Sequence, residues 1–243
     1  MSISIIIPVY NEAECIERCL RETQAAFADI DHEIIVVNDG STDSSDGIVT
    51  RMLNGDRRLA HISYRDNRGY SHAIRQGLAV ARCEYVSYLD ADLQYPPDQL
   101  RRMYDFALAE RAAFVLGQPT RKYYNRYRRL QSFVYNGLVS RVLGLDVPDA
   151  NALKLIRADT IRTLRLRGQR GAIELEVLVG VAARSIPIRL FPITVQERVA
   201  GRSKSGPALI LPTLGTIAGL WRARSRRARK CVSAVESIER TGA

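Results

Sequence analysis

Four strand patterns rich in apolar residues, separated by stretches of helical periodicity, constrain what the first half of this chain can fold into. The first, ISIIIPV (Ile3–Val9), is apolar without alternation, the pattern of a parallel strand covered on both faces. EIIVVN (Glu33–Asn38), LAHISY (Leu59–Tyr64) and EYVSYLD (Glu84–Asp90) continue the series. Between them lie helix patterns over about Glu12–Phe27, from the DGSTDSS turn (Asp39–Ser45) to Leu53, and over Tyr70–Ala81. Strand, helix, strand in repetition predicts an α/β fold, a twisted and mostly parallel sheet flanked by helices on both faces. Such sheets bind ligands outside the carboxyl ends of their strands.

That rule gathers three polar clusters, PVYNEAE, NDGSTD and DADLQ, on one edge. In the last of them, if Tyr85–Leu89 is extended, Asp90 and Asp92 project to the same side. Converging carboxylates need a shared proton, a basic side chain or a divalent cation between them. A helix-capping turn accounts for Pro96, Pro97 and one aspartate. A metal accounts for both carboxylates.

The second half is less regular. AAFVLG (Ala112–Gly117) predicts a short strand, and Arg121–Gly144 a basic, aromatic helix. Asn151–Arg157 predicts a strand, Ala172–Ala183 a helix, and Ile186–Arg198 a strand kinked at Pro192. One domain with a C-terminal appendage is expected. The 36 basic residues against 26 acidic ones, net +10, call for an anionic partner: a nucleic acid, a phosphate-bearing substrate or an acidic membrane. No DNA- or RNA-binding motif is present.

The apolar run Pro207–Trp221 is broken by Pro212, Gly215 and Gly219 and falls short of the roughly 20 residues a spanning helix needs. With the basic run Arg222–Lys230 behind it, it suits either a segment lying on an anionic bilayer or a helix packed on the domain with a solvated tail. Cys15, Cys19, Cys83 and Cys231 form no CxxC pair, and reduced thiols in a cytosolic protein are expected. The opening residues lack a basic n-region, so no signal peptide is expected. There is no GxGxxG after the first strand, no P-loop, no GxSxG elbow, and no HExxH spacing among His32, His61 and His72.

The segments IPVYNEAECI, EIIVVNDGSTDSS, NRGYSHAIRQGL, YVSYLDADLQYPP and RVAGRSKSG, in this order, resemble the family 2 glycosyltransferases of GT-A fold. Within that family they are most similar to dolichol-phosphate and polyprenyl-phosphate sugar synthases. A lone DxD is common, but five motifs in register over Ile3–Gly206 are specific. The resemblance implies a Rossmann-like GT-A domain over residues 1–206, which leaves 207–243 as a basic appendage suited to membrane association. It implies metal-dependent, inverting transfer of a sugar from a nucleotide-diphosphate donor to a polyprenyl (dolichyl-type) phosphate, at the cytoplasmic face of a membrane. Mg²⁺ or Mn²⁺ would be held by Asp90, Asp92 and the Gln94 carbonyl, since such ions take one or two carboxylates plus substrate phosphates. Pro8, Tyr10, Glu12, Val37 and Asp39 would line the nucleoside pocket, with Glu12 accepting from ribose hydroxyls and Asp39 from a base N–H. Arg202 and Lys204, in an Arg-x-x-Gly-x-Ser-Lys element that starts at Arg198, would contact phosphate. Asp92, Arg129 and Asp149 are the candidate catalytic residues.

Turn and capping chemistry is the competing account of Asp39, Ser41 and Asp43. Departures from the pattern are Asn38, where the family often has an aspartate, and Ala152 and Leu153 in DANALK. No Glu-Asp dipeptide occurs to supply the general base that a hydroxyl acceptor requires. A phosphate acceptor is already ionised and needs only cations such as Arg121, Arg128 and Arg129. A soluble small-molecule or natural-product acceptor is the alternative, with Asp149 or Glu176 as candidate base. A nucleotidyltransferase would share the metal site, but PVYNEAE lacks the Gly-rich, basic loop expected of one.

Overall fold

The computed structural model describes residues 1–53, 56–122, 137, 140, 147–164, 166, 173–197 and 235–236. Along these residues run β1 (Ile3–Val9), α1 (Ile16–Ala26), β2 (His32–Asp39), α2 (Ser45–Leu53), β3 (Leu59–Tyr64), α3 (Tyr70–Val80), β4 (Tyr85–Tyr88) and α4 (Pro97–Ala109). They continue as β5 (Phe114–Lys122), β6 (Lys154–Arg157), α5 (Ala158–Thr163), α6 (Ile173–Ala183), β7 (Ile188–Val195) and the two-residue β8 (Val235–Glu236). One sheet joins the strands in the order β3-β2-β1-β4-β6-β5-β7-β8.

The sheet is mostly parallel because apolar strands covered on both faces leave the connecting chain to return over a helix. All eight residues of β2 are buried, and in β1 only Pro8 keeps partial exposure. Ile3, Ile5, Ile6 and Ile7 have no exposed surface. Each such side chain contributes about 1.5–3 kcal/mol by leaving water. α1 buries Ile16, Cys19, Leu20 and Thr23, one stripe at i, i+3, i+4 and i+7, and packs against α2 and α4. α4 starts on Pro97 at its first helical position, where a missing N–H costs nothing.

β1, β2, β3 and β4 run parallel. β6 runs antiparallel to both β4 and β5, and β5 pairs parallel with β7. The carboxyl ends of β1, β2, β4, β5 and β7 therefore share one edge. The reversal of β6 adds to that edge the loop that enters it, residues 147–153. From β1 the chain steps outward to β2 and β3, then returns to β4 on the other side of β1. The β1–β4 boundary is thus the topological switch point, where an open α/β sheet forms its ligand crevice.

Several boundaries differ from the sequence expectation. α1 begins at Ile16 rather than near Glu12, because the backbone N–H groups of Asn11, Glu12 and Ala13 bond to side chains of the next loop. β4 ends at Tyr88, so Asp90 and Asp92 lie in the turn beyond the strand and not on its alternating face. β5 runs on to Lys122 and takes the first two residues of the expected Arg121–Gly144 helix. Of the rest of that helix only Gly137 and Ser140, both helical, are among the described residues. β6 starts at Lys154 rather than Asn151. β7 keeps register through Pro192, opposite Gln118, and the irregularity falls in β5 between Pro119 and Arg121. α5 was not expected. The expected appendage at 207–243 lies outside the described residues except for β8.

α3 lies against β1 and β2 at a point where only glycine fits. A Cβ on Gly77 would stand 2.4 Å from Ile6 Cγ2, inside the core. Gly77→Ala should therefore destabilise the protein by about 1–3 kcal/mol in chemical denaturation through overpacking. On an exposed helix face the same change would stabilise by up to about 1 kcal/mol. Unchanged or raised stability would contradict the close approach.

Candidate active site

The crevice is walled by the loop after β1 and the loop after β4, with the loop after β2 alongside. The β1 and β2 loops are laced together by side chains accepting backbone hydrogens. Asn11 N–H donates to Ser41 Oγ (3.0 Å), Glu12 N–H to Ser45 Oγ (2.9 Å) and Ala13 N–H to Asp43 Oδ2 (3.1 Å). In return Thr42 N–H donates to Asn11 Oδ1 (2.7 Å), and Asn11 takes a left-handed φ of 52° that asparagine tolerates. Burial pushes the Asp43 carboxyl up, but the Ser45 hydroxyl and N–H and the Ala13 N–H outweigh it and hold it below the usual range. Ser41, Asp43 and Ser45 thus do the structural work that turn chemistry predicts, and Tyr10 and Glu12 are carried on a braced loop.

Asp39 ends β2 and is nearly inaccessible, at 3% exposure. Its Oδ1 accepts Arg68 N–H (3.0 Å) and its Oδ2 accepts Gly69 N–H (2.7 Å) at the amino end of α3, where a negative charge meets the helix dipole. Each oxygen retains acceptor capacity for a ligand. Gly40 makes the approach possible: its φ is 76°, and a Cβ there would stand 2.6 Å from Asn67 N. Asn38, the departure from the family pattern, is turned to structure. Its Nδ2 donates to Asp46 Oδ1 (2.7 Å) and Ser63 Oγ (3.0 Å), and its Oδ1 accepts Ser41 N–H (3.1 Å). Pro8 is half-buried on β1, whereas Val37 is fully buried in β2 and has no side-chain surface to offer a ligand.

After β4 the chain turns sharply through DADLQ. Asp92, 2% exposed, accepts Gln94 N–H at Oδ1 (3.0 Å), and Leu93 between them is left-handed at φ 59°. A leucine in that region costs about 1–3 kcal/mol and persists only where its surroundings hold it. Here Leu93 is itself buried, and Gln196 N–H, just past β7, donates to the Gln94 backbone carbonyl (2.9 Å). Gln99 adds a reciprocal pair with Thr194, accepting its N–H (2.6 Å) and donating to its carbonyl (2.8 Å). The carboxylate turn is therefore pinned to the end of β7, three residues before the Arg-x-x-Gly-x-Ser-Lys element begins at Arg198. Arg128, Arg129, Arg198, Arg202 and Lys204 lie outside the described residues.

Behind the turn sits a buried charge network that the sequence expectation missed. Lys154, the first residue of β6, has no exposed surface. Its Nζ donates to Ala150 O (2.8 Å), Ala152 O (2.9 Å) and Glu174 Oε2 on α6, using all three of its hydrogens. The first two bonds fold the loop that carries Asp149, itself 4% exposed and accepting Asn151 N–H at Oδ1 (3.0 Å). Glu174 also accepts Tyr88 OH at Oε2 (3.0 Å) and Tyr70 OH at Oε1 (3.3 Å). Burial, then the negative charges of Asp90 and Glu174, pushes the Tyr70 phenol well above its ordinary range, and burial and Glu174 do the same to Tyr88. Both phenols stay protonated as donors. On α6 it is Glu174 that joins the network, two residues before the expected Glu176. The sequence signal was a lysine inside the apolar strand pattern KLIR, which in a covered strand demands a buried partner.

His32 Nδ1 lies 2.8 Å from Ile30 O, and His72 packs edge-on to Tyr64. Cys15 and Cys19 are buried on α1, where burial pushes the Cys19 thiol up. Among the described residues no group of three or more His, Cys, Asp or Glu gathers that could hold a metal unaided. No described helix is long and apolar enough to cross a membrane.

A mostly parallel sheet with its polar loops gathered at one carboxyl edge, and an Asp-x-Asp turn at the switch point, defines a GT-A type of domain. Residues 4–158 match the model of glycosyl transferase family 2, and the chain belongs to that family. Among its relatives is the undecaprenyl-phosphate 4-deoxy-4-formamido-L-arabinose transferase of Pseudomonas syringae pv. syringae (strain B728a), 32% identical over 213 residues. That match covers 86% of this chain and 62% of the relative. The enzyme of the same name from Edwardsiella ictaluri (strain 93-146) is 31% identical over 210 residues, covering 84% and 63%. The chain thus spans less than two thirds of the length of either curated relative. The fold is shared with glucosyl-3-phosphoglycerate synthase from Mycobacterium tuberculosis, crystallised with Mn²⁺, uridine diphosphate and glucosyl-3-phosphoglycerate. The TM-score is 0.73 at 17% identity, over 93% of this chain and 81% of that one.

Removing one member of a buried ion pair strands the other. Lys154→Met should cost about 3–5 kcal/mol in urea unfolding, and adding Glu174→Gln should recover most of that loss. A single variant as stable as the wild type would contradict the pairing.

Proposed function

We propose that this chain is a metal-dependent, inverting glycosyltransferase that moves a sugar from a nucleotide-diphosphate donor to a polyprenyl phosphate. The observation that carries the reading is the placement of the Asp90–Asp92 turn at the switch point, between the braced β1 loop and the end of β7. The curated relatives named above are undecaprenyl-phosphate sugar transferases, and they support the lipid-phosphate acceptor.

The residues present suit a divalent cation. Asp90, Asp92 and the Gln94 side-chain amide are hard oxygen donors, the kind that Mg²⁺ and Mn²⁺ take. Too few for a protein cage, they leave positions for phosphate oxygens. The Gln94 backbone carbonyl is already engaged by Gln196. When bound, the ion supplies Lewis-acid neutralisation of the departing diphosphate.

The chain's own residues do the rest. Tyr10, Glu12 and Asp39 hold the nucleoside against the floor formed by Pro8. Arg129, Arg202 and Lys204 supply positive charge for the donor and acceptor phosphates. The acceptor phosphate is ionised at neutral pH, so attack needs no strong base. Asp149, held by the Lys154-folded loop, orients the acceptor at the crevice. The domain at 1–206 performs the chemistry, and the apolar and basic stretch at 207–243 suits contact with an anionic leaflet at the cytoplasmic face, where the lipid acceptor resides.

A panel of UDP- and GDP-sugars with Mn²⁺ or Mg²⁺, with and without polyprenyl phosphate, tests this reading. Metal-dependent transfer to the lipid is expected, falling about 10²–10³-fold in Asp92→Ala. Donor turnover with only water or soluble acceptors would overturn the lipid acceptor. Transfer insensitive to chelator would overturn the metal.

A further inference from the structure

We propose that Lys154 is a positioning residue for the acceptor, which fixes the 149–153 loop at the crevice, and that the buried Lys154–Glu174 pair serves that position rather than stability. The inference rests on the reading of Asp149 as the group that orients the acceptor, and it names what sets the place of that group. Replacing a buried ion pair by well-packed neutral side chains often leaves stability unchanged or raises it, so stability is a poor account of the pair. What an apolar side chain of similar volume does not do is hold a carbonyl.

Lys154 Nζ donates to carbonyls of the residues just before it, Ala150 O (2.8 Å) and Ala152 O (2.9 Å), so the loop is wrapped around the ammonium. Its third hydrogen goes to Glu174 on α6, which in turn accepts Tyr88 OH on β4 and Tyr70 OH on α3. The place of the loop is thereby referred to elements outside β6. Two further loop carbonyls are met from within: Asp149 O accepts Ala152 N–H (3.3 Å), and Leu153 O accepts Gly117 N–H on β5 (2.8 Å). Asp149, Ala150, Ala152 and Leu153 are buried, and Asn151 alone of this loop is exposed. An oriented backbone carbonyl is a fixed partial charge, and one left toward the crevice would oppose an anionic phosphate. Drawing the Ala150 and Ala152 oxygens onto Lys154 takes two such charges out of the way. With methionine in its place those oxygens would turn toward water to stay paired, and the backbone of Asp149 would move with them.

The test separates stability from position with the double variant Lys154→Met, Glu174→Gln in the full chain. Urea unfolding, amide hydrogen exchange of the 149–153 loop, and sugar transfer to undecaprenyl phosphate are measured beside wild type, Lys154→Met and Asp149→Ala. Donor and acceptor are varied separately, with Mn²⁺ and the UDP- or GDP-sugar that the wild type turns over. The double variant should regain most of the stability that Lys154→Met loses. Its loop amides should nevertheless exchange faster than the wild type's, with those of β1 and β2 unchanged. Its kcat/KM for the acceptor should stay about 10²-fold low while the KM for the donor holds, since a small misplacement of an orienting group costs that much. Wild-type acceptor kinetics or loop exchange in the double variant overturns the inference. So does a double variant as unstable as Lys154→Met, because the pair would then serve stability. A wild type that transfers nothing to undecaprenyl phosphate, or Asp149→Ala with wild-type acceptor kinetics, overturns the acceptor reading itself and this inference with it. Loop exchange then shows separately whether Lys154 holds the loop.

Discussion

A fully buried ammonium must place every hydrogen it carries, and the site of this protein is organised around the way Lys154 does so. An ion taken out of water costs several kcal/mol unless its partners are close and complete. Lys154 meets that demand with two carbonyls of the loop before β6 and one carboxylate of α6. The choice of partners has structural consequences. The loop that presents Asp149 cannot open without leaving a buried charge unpaired, and α6 cannot slide without the same loss. Through Glu174 the constraint reaches Tyr70 on α3 and Tyr88, the last residue of β4 before the carboxylate turn. Four elements brought together only by the sheet order are thereby locked in one relative position.

The remaining polar contacts repeat this logic at lower charge. Backbone hydrogens of the β1 loop end on Ser41, Asp43 and Ser45, and Asp39 closes the amino end of α3. Gln99 and Gln196 tie the Asp90–Asp92 turn to β7. Glycosyl transfer puts negative charge on a departing diphosphate. Groups that are already oriented can stabilise that charge without reorganising. On the proposed function, a crevice whose loops are each held by a neighbour, with a left-handed Leu93 kept in place by burial and pairing, would supply such groups.

The parallel sheet and its site edge were legible because apolar runs and turn residues are local signals. ISIIIPV and LAHISY became β1 and β3 with the expected bounds, and Tyr70 and Pro97 open the helices anticipated there. What the sequence did not show depends on contacts between distant segments. β6 reads as an ordinary strand, and nothing in KLIR says that it runs antiparallel between β4 and β5. Its reversal is what brings Asp149 to the site edge. The strand assigned through Asp90 stops at Tyr88 because DADLQ bonds to itself and to Gln196. Asn38 read only as a departure from the family's aspartate; it is a brace for Asp46 and Ser41. Glu176 read as a candidate base for a soluble acceptor, while Glu174, which no motif marked, joins the buried network because its turn of α6 faces Lys154. The family resemblance identified the DxD turn, and the tyrosine and ion pair behind it needed the fold.

On the proposed function, Asp90 and Asp92 hold a divalent cation with the donor diphosphate in the crevice between β1 and β4. Crystals grown with Mn²⁺ and UDP or GDP, measured at the manganese absorption edge, address it most directly. One strong anomalous peak is expected about 2.0–2.3 Å from a carboxylate oxygen of Asp92 or Asp90, shared with the diphosphate. A nucleotide seated in the crevice with no such peak, or a peak away from this turn, would contradict it.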